Sequence, residues 1–203
     1  MLITFEGIDG SGKSTLIKQV GEYLKSKNLN TLITYEPYDE DIRNLIKSGK
    51  YLPKAELALF TADRVQHIEN IILPALKDNM IVLCDRFIDS TIAYQFGGNG
   101  ISPDIIKAMY KLLNYPIYPE RTYYLDIPIS EAMFRISKRY SKEYDKYDCQ
   151  SYEFYQNIQI GYKQAIREDP SRFCTVDANR SINKILSDII LDLDRVLIRN
   201  NYV

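Results

Sequence analysis

Short apolar runs alternate along this chain with longer stretches whose apolar residues recur at helical spacing. The runs MLITFE (1–6), TLITYE (31–36), MIVLCD (80–85), TYYLDI (122–127) and RFCTVD (172–177) have strand length and predict five β-strands. Between and after them, 13–28, 40–48, 54–78, 89–95, 102–114, 128–138, 151–168 and 181–198 carry the apolar period of helices buried on one face. Strands alternating with helices predict an α/β fold, a mainly parallel sheet with helices on both faces. Ligands in such folds bind beyond the carboxyl ends of the strands. Four of the five runs end in or lead into an acidic residue, Glu6, Glu36, Asp85 and Asp177. That pattern suits a polar rim over a catalytic edge, although acidic residues also stop strands in folds with no site there.

One stretch breaks the rhythm. SKRYSKEYDKYDCQ (137–150) is polar, charge-rich and nearly free of aliphatic residues. A solvated loop fits that composition, and its place between two helical segments also suits a mobile flap. With no internal repeat and no Pro/Gly-rich linker, residues 1–203 read as one domain, and a chain of this length can bury a full layered core.

Composition narrows the classes. A 45% apolar and 26% charged chain is ordinary for a globular protein, and a net charge of −1 asks for neither nucleic acid nor an anionic membrane. No segment reaches the roughly 18 apolar residues of a membrane-spanning helix. Lys13 interrupts the amino-terminal apolar stretch, so no secretory signal is expected and a cytoplasmic location is. Cys84, Cys149 and Cys174 are far apart and odd in number, which fits free thiols in a reducing compartment. The 17 tyrosines, several of them between Tyr140 and Tyr162, are expected to help polar helices pack.

The strongest chemical signal is Gly7-Ile8-Asp9-Gly10-Ser11-Gly12-Lys13-Ser14, a full match to G-x-x-x-x-G-K-[ST] between a strand and a helix. Glycines let successive N–H groups face inward as an anion nest, and the following helix adds its unpaired N-terminal donors. Gly7, Gly10, Ser11, Gly12, Lys13, Ser14 and Thr15 are therefore expected to bind the phosphates of a nucleoside triphosphate, with Lys13 on the β- and γ-phosphates and Ser14 on Mg²⁺. No N-K-x-D base-reading motif accompanies the loop, and no four-residue apolar strand closes in Asp-Glu. Val82-Leu83-Cys84-Asp85-Arg86 takes that place: Asp85 can hold metal-bound water or an acceptor oxygen, and Arg86 can grip a second phosphate. This points to a small kinase whose acceptor is itself phosphorylated.

FEGIDGSGKST, LALFTADRVQH (57–67), ILPAL (72–76), CDRFIDSTIAYQ (84–95), YYLDI and TVDA together resemble the thymidylate kinase family over nearly the whole chain. The resemblance implies a three-layer α/β/α P-loop nucleoside monophosphate kinase fold with a five-stranded parallel sheet. It implies phosphorylation of dTMP to dTDP with ATP and Mg²⁺, by a homodimer without nucleic-acid or membrane partners. It gives Asp9 the sugar 3′-hydroxyl, Phe60 the thymine face, Arg64 a base carbonyl and Arg86 the acceptor phosphate. Ser90 and Gln95 fall where the base edge is read, Tyr94 where an aromatic lies under the sugar, and Asp85 near the metal. Glu36 joins the acceptor set. The segment 177–180 falls beside adenine. In this family a catalytic arginine comes from the phosphate loop or from a lid. Gly10 occupies the loop position, so the lid at about 137–150 is expected to supply it, with Arg139 the best match.

The chain departs from the family at its second strand. Tyr35 stands where an arginine normally helps hold the acceptor phosphate, before Glu36 and Pro37, a proline that follows a cis peptide in the family. A tyrosine brings one hydroxyl and no charge. Three explanations remain open: Arg43 reaches back, Arg86 suffices with weaker dTMP binding, or the pocket has changed its ligand. Tyr35 keeps another deoxynucleotide or deoxynucleoside kinase in view, and a P-loop regulatory ATPase is the alternative of a different class. His67 is expected to pack rather than to exchange protons.

Overall fold

The structure, a computed structural model, describes residues 1–113, 117–138 and 151–203. Arg139, Cys149 and all but the first two positions of the 137–150 segment lie outside the described residues. Strands β1 (Leu2–Glu6), β2 (Thr31–Tyr35), β3 (Ile81–Asp85), β4 (Arg121–Asp126) and β5 (Phe173–Asp177) form one parallel sheet in the order β2-β3-β1-β4-β5. Each of the five apolar runs is a strand, and β1, buried along its whole length, lies at the centre.

Helices are α1 (Lys13–Ser26), α2 (Glu40–Lys47), α3 (Pro53–His67), α4 (Leu73–Lys77), α5 (Ile88–Thr91), α6 (Pro103–Leu113), α7 (Ile129–Ser137), α8 (Tyr152–Glu168) and α9 (Ile182–Arg199). Alternate residues of the central strands face opposite layers. Ile3, Phe5 and Leu83 pack in one core with Leu16 and Val20 of α1 and Ile189 and Leu193 of α9. Leu2, Val82 and Cys84 belong to a second core with Ile68, Ile72 and Ala75.

Two predicted helices are not uniform. The 54–78 segment is α3 and α4 joined by a π-helical stretch, Ile68–Ile72. Pro74 has no N–H to return to the preceding turn, and the chain widens ahead of it. The 89–95 segment continues past α5 as a π-helical stretch to Gly98. That stretch lies almost backbone to backbone against α8. A Cβ on Gly161 would sit 2.6 Å from the Cα of Ala93, and one on Gly97 would sit 2.3 Å from the Asn157 carbonyl oxygen. Small residues at this crossing bring Tyr162 of α8 to the carboxyl edge of β1, where it meets Glu6.

Candidate active site

The turn between β1 and α1 carries the phosphate loop. Gly10 and Gly12 have φ of 80° and 97°, left-handed values that a side chain rarely tolerates. A Cβ at Gly10 would also stand 2.5 Å from the Ala132 carbonyl oxygen of α7, so this loop position has no room for an arginine. Lys13 is buried, and its Nζ donates to the carbonyls of Gly7 (3.0 Å) and Ile8 (3.1 Å). Burial, and then the nearby Arg86 charge, push the Lys13 pKa down to about 8. Ser14 Oγ donates to Asp85 Oδ2 at 2.7 Å, across from the end of β3. Gly10, Gly12, Lys13, Ser14, Thr15 and Asp85 line a cavity of about 390 Å³. The Ser14–Asp85 pair presents only hard oxygen donors beside a cationic loop, a donor set that fits Mg²⁺.

Just past β3, Arg86 adopts φ 69°, a backbone state that costs a non-glycine residue roughly 1–2 kcal/mol. Its N–H to the Phe5 carbonyl (3.0 Å) and its side-chain contacts hold it there. Nη2 donates to Asp9 Oδ1 (2.6 Å) and the Tyr94 hydroxyl (3.0 Å), and Nη1 to the Gly7 carbonyl (3.1 Å) and Ser90 Oγ (3.2 Å). Tyr94 in turn donates to Asp9 Oδ2 at 3.1 Å. Burial alone would raise the Asp9 pKa, but Arg86 and Lys13 hold it below the ordinary carboxylate value.

Behind Arg86 lies Glu6, fully buried. Its carboxylate accepts from the Phe87 N–H (2.8 Å), Ser90 Oγ (2.6 Å) and the Tyr162 hydroxyl (3.0 Å). Burial and then the neighbouring Asp89 push its pKa up to about 7. Ser90 is thus anchored to Glu6 while it lines the pocket.

A second cavity, about 140 Å³, is lined by Asp9, Arg43, Phe60, Arg64, Arg86, Ser90, Tyr94 and Gln95 among others. It shares Asp9, Glu36 and Arg86 with the phosphate-loop cavity, so the two meet at those side chains. Arg64 is buried with its donors committed: to Glu36 Oε2 (2.9 and 2.5 Å), Thr91 (2.9 Å), the Tyr110 hydroxyl and the Phe87 carbonyl (3.1 Å). Burial works against that charge, but Glu36 raises the Arg64 pKa above its usual value. Glu36 also meets His67 Nδ1 at 3.2 Å, while His67 Nε2 lies 2.7 Å from Thr34 Oγ1 and its ring stacks on Tyr38. His67 is fully buried in this network. Gln95 differs: its Nε2 is buried with no partner among the described residues, and it faces the cavity Phe60 helps line.

All the described site candidates therefore gather along one sheet edge. Sequence reasoning left four participants unassigned. Glu6 and Thr91 lie inside the quoted segments FEGIDGSGKST and CDRFIDSTIAYQ but carry no assigned role there, and Tyr162 lies in no motif. Arg43 is one of three open answers to Tyr35, and it is half-buried on the wall of the second cavity. The peptide before Pro37 is cis. Arg135 of α7 donates to the Ala178 carbonyl (3.2 Å), tying that helix to the segment expected beside adenine. A third cavity, about 620 Å³, lies beyond Arg64 among Ile68, Ile106, Tyr110 and Arg172, and includes no phosphate-loop residue.

With that geometry in view, comparisons decide the family. The family model described as Thymidylate kinase matches residues 5–189. The chain belongs to the thymidylate kinase family. It is 39% identical over 202 residues to the thymidylate kinase of Mycoplasmopsis agalactiae, covering 94% of this chain and 93% of that protein. It is 35% identical over 196 residues to that of Kosmotoga olearia, with 94% and 93% covered. The crystal structure of thymidylate kinase from Ehrlichia chaffeensis matches with a TM-score of 0.77 at 34% identity, covering 96% of this chain and 98% of that one. The chain is thus a kinase, a phosphotransferase of a family that phosphorylates dTMP to dTDP. No helix of the described residues is long and apolar enough to cross a membrane.

Proposed function

We propose that this kinase moves the γ-phosphoryl group of ATP onto the 5′-phosphate of dTMP, giving dTDP and ADP. One observation carries the reading: the phosphate-loop cavity and the acceptor cavity share the wall Asp9, Glu36 and Arg86, so two phosphates bound on either side meet there. Family membership supports dTMP as the acceptor. A regulatory ATPase needs only water at that wall, and its chemistry has no use for Phe60, Arg64, Tyr94 and Gln95 around a second cavity.

On the donor side, the loop N–H groups and Lys13 hold the β- and γ-phosphates. Ser14 and Asp85 supply the oxygen ligands for Mg²⁺, which when bound offsets charge on the β- and γ-phosphates. On the acceptor side, Arg43 donates to the 5′-phosphate, and Arg86, its Nη atoms held by Asp9, Tyr94, Gly7 and Ser90, sets its positive charge beside it. Asp9 accepts from the sugar hydroxyl, and Tyr94 fills the space a ribose 2′-hydroxyl needs. Phe60 covers one face of thymine, while Gln95 and Ser90 meet its polar edge; Arg64, expected on a base carbonyl, instead has its donors held by Glu36, Thr91, Tyr110 and Phe87 and backs the pocket wall. An acceptor phosphate oxygen attacks the γ-phosphorus, the bond to the β–γ bridging oxygen breaks, and ADP leaves. Charge on the transferring group is met by Lys13 and by Arg139 from a lid at about 137–150; the closed loop position at Gly10 supports a lid source. The same reading makes the chain a single domain that acts as a cytoplasmic homodimer through its long helices, which family membership supports.

The test is the fate of label from γ-³²P-ATP in the presence of dTMP. Label in dTDP supports transfer to the nucleotide; label only in inorganic phosphate overturns it.

A further inference from the structure

Tyr35 is the residue that the functional reading leaves without a task, and its surroundings give it one. It ends β2 beside Asp85 of β3, with 50% of its surface exposed. It lines the phosphate-loop cavity with Lys13, Ser14 and Asp85. Arg43, on the opposite side of the shared wall, lies over its ring, the guanidinium carbon 4.8 Å from the ring centroid, and Nη2 donates to its hydroxyl at 3.1 Å. The same guanidinium donates from Nε to the Pro37 carbonyl (3.0 Å) and from Nη2 to the Tyr38 carbonyl (2.9 Å). Its helix is fixed in turn, since Asp39 caps α2 by accepting from the Ile42 N–H at 2.9 Å.

The two arginines of the acceptor cavity are therefore not equivalent. Both Nη atoms of Arg86 are already committed, to Asp9, Tyr94, Gly7 and Ser90. Arg43 has Nε and Nη2 committed, but the structure gives Nη1 no protein partner among the described residues. A guanidinium clamped on one edge and over one face, with its other edge unpaired, is preorganised for an oxyanion.

We propose that Tyr35 is a positioning residue for acceptor binding: its ring and hydroxyl hold Arg43 so that the unpaired Nη1 edge meets the acceptor's phosphate. The inference rests on the reading of this cavity as an acceptor-monophosphate site. Tyr35 contributes no charge of its own; it sets where the Arg43 charge stands. The hydroxyl fixes the guanidinium in its plane, and the ring limits its tilt.

The experiment is calorimetric binding of dTMP and of thymidine to wild type, Tyr35→Phe, Tyr35→Ala, Arg43→Ala and the Tyr35→Ala/Arg43→Ala double variant, with thermal melting to establish that each is folded. Tyr35→Phe is expected to weaken dTMP binding about threefold and Tyr35→Ala about tenfold or more, with thymidine binding unchanged. In the Arg43→Ala background, Tyr35→Ala is expected to add nothing further. Equal losses for dTMP and thymidine, or full additivity in the double variant, overturn the proposal. Wild-type transfer to dTMP, measured separately, reports on the proposed function: if wild type binds dTMP but does not phosphorylate it, that reading fails while the Tyr35–Arg43 comparison still reads out.

Discussion

Arg86 Nη2 lies 2.6 Å from Asp9 Oδ1, making one ion pair of the phosphate loop's carboxylate and the arginine that follows β3. A carboxylate inside an anion-binding loop opposes the loop's purpose unless its charge is turned elsewhere. Here it is turned to the acceptor side, where Tyr94 donates to its other oxygen. Asp9 thereby holds Arg86 on the wall between the two cavities.

Replacing Asp9 with alanine should free Arg86 and remove a sugar-hydroxyl acceptor together. Loss of one partner from a partly buried charge pair typically costs about 3 kcal/mol, so kcat/KM for dTMP is expected to fall about a hundredfold. Asp9→Asn, which keeps the shape without the charge, should fall less. Steady-state kinetics with dTMP varied and ATP saturating checks both; unchanged kcat/KM in Asp9→Ala would remove Asp9 from the acceptor site.

Gln95 separates stability from function. A buried donor without a partner is unfavourable by about 1–3 kcal/mol, so Gln95→Leu is expected to leave the free protein's melting temperature unchanged or raised. If the unpaired Nε2 is the donor that meets the base, as proposed, the same change should raise the dTMP KM about tenfold. A lowered melting temperature with an unchanged KM would mark Gln95 as packing alone.

These residues differ in how far the sequence reveals them. The phosphate loop, Asp85 and Arg86 are legible because a local spacing sets their chemistry: strand, turn and helix N-terminus are contiguous. The strands were legible to within about a residue at each end, since buried parallel strands are short continuous apolar runs. Tyr162 was not, because it stands 76 positions from Arg86 and arrives only through the close crossing at Ala93 and Gly161. Its apolar neighbours on α8 make it look like packing. Arg43 stayed an open alternative, since its reach to Tyr35 runs across the cis turn at Pro37. The π-helical stretches were missed because an added residue per turn leaves no compositional trace.

Lys13 should make ATP binding pH-dependent. In the free protein its pKa is lowered to about 8, and phosphate oxygens will raise it on binding. Above pH 8 the complex therefore holds a proton that the free protein has lost. Binding should take up as much as one proton, with apparent affinity falling by up to about tenfold per pH unit. Calorimetric titration at pH 8.5 in two buffers of different ionisation enthalpy measures the uptake; none would mean Lys13 is already fully charged before ATP arrives.

Glu6 should make stability fall as pH rises. Its folded pKa, about 7, lies above its ordinary value of 4.5, so between those values the folded state holds a proton that the unfolded chain has released. Its contribution to stability is fully present below about pH 4.5 and is lost as pH rises towards 7. Urea midpoints at pH 5 and pH 7.5 should differ less in Glu6→Gln than in wild type. Equal differences would mean that Glu6 is ionised throughout that range.

A cavity beyond Asp9 and Arg86 that is built for dTMP predicts a definite order of ADP release from ATP and Mg²⁺ across an acceptor panel. With dTMP, dUMP, ribose TMP, dCMP, dGMP and thymidine compared at equal concentration, dTMP should give the fastest release, ribose TMP should be poor and thymidine inactive. Faster release with another monophosphate, or release that no acceptor stimulates, would contradict the assignment of that cavity.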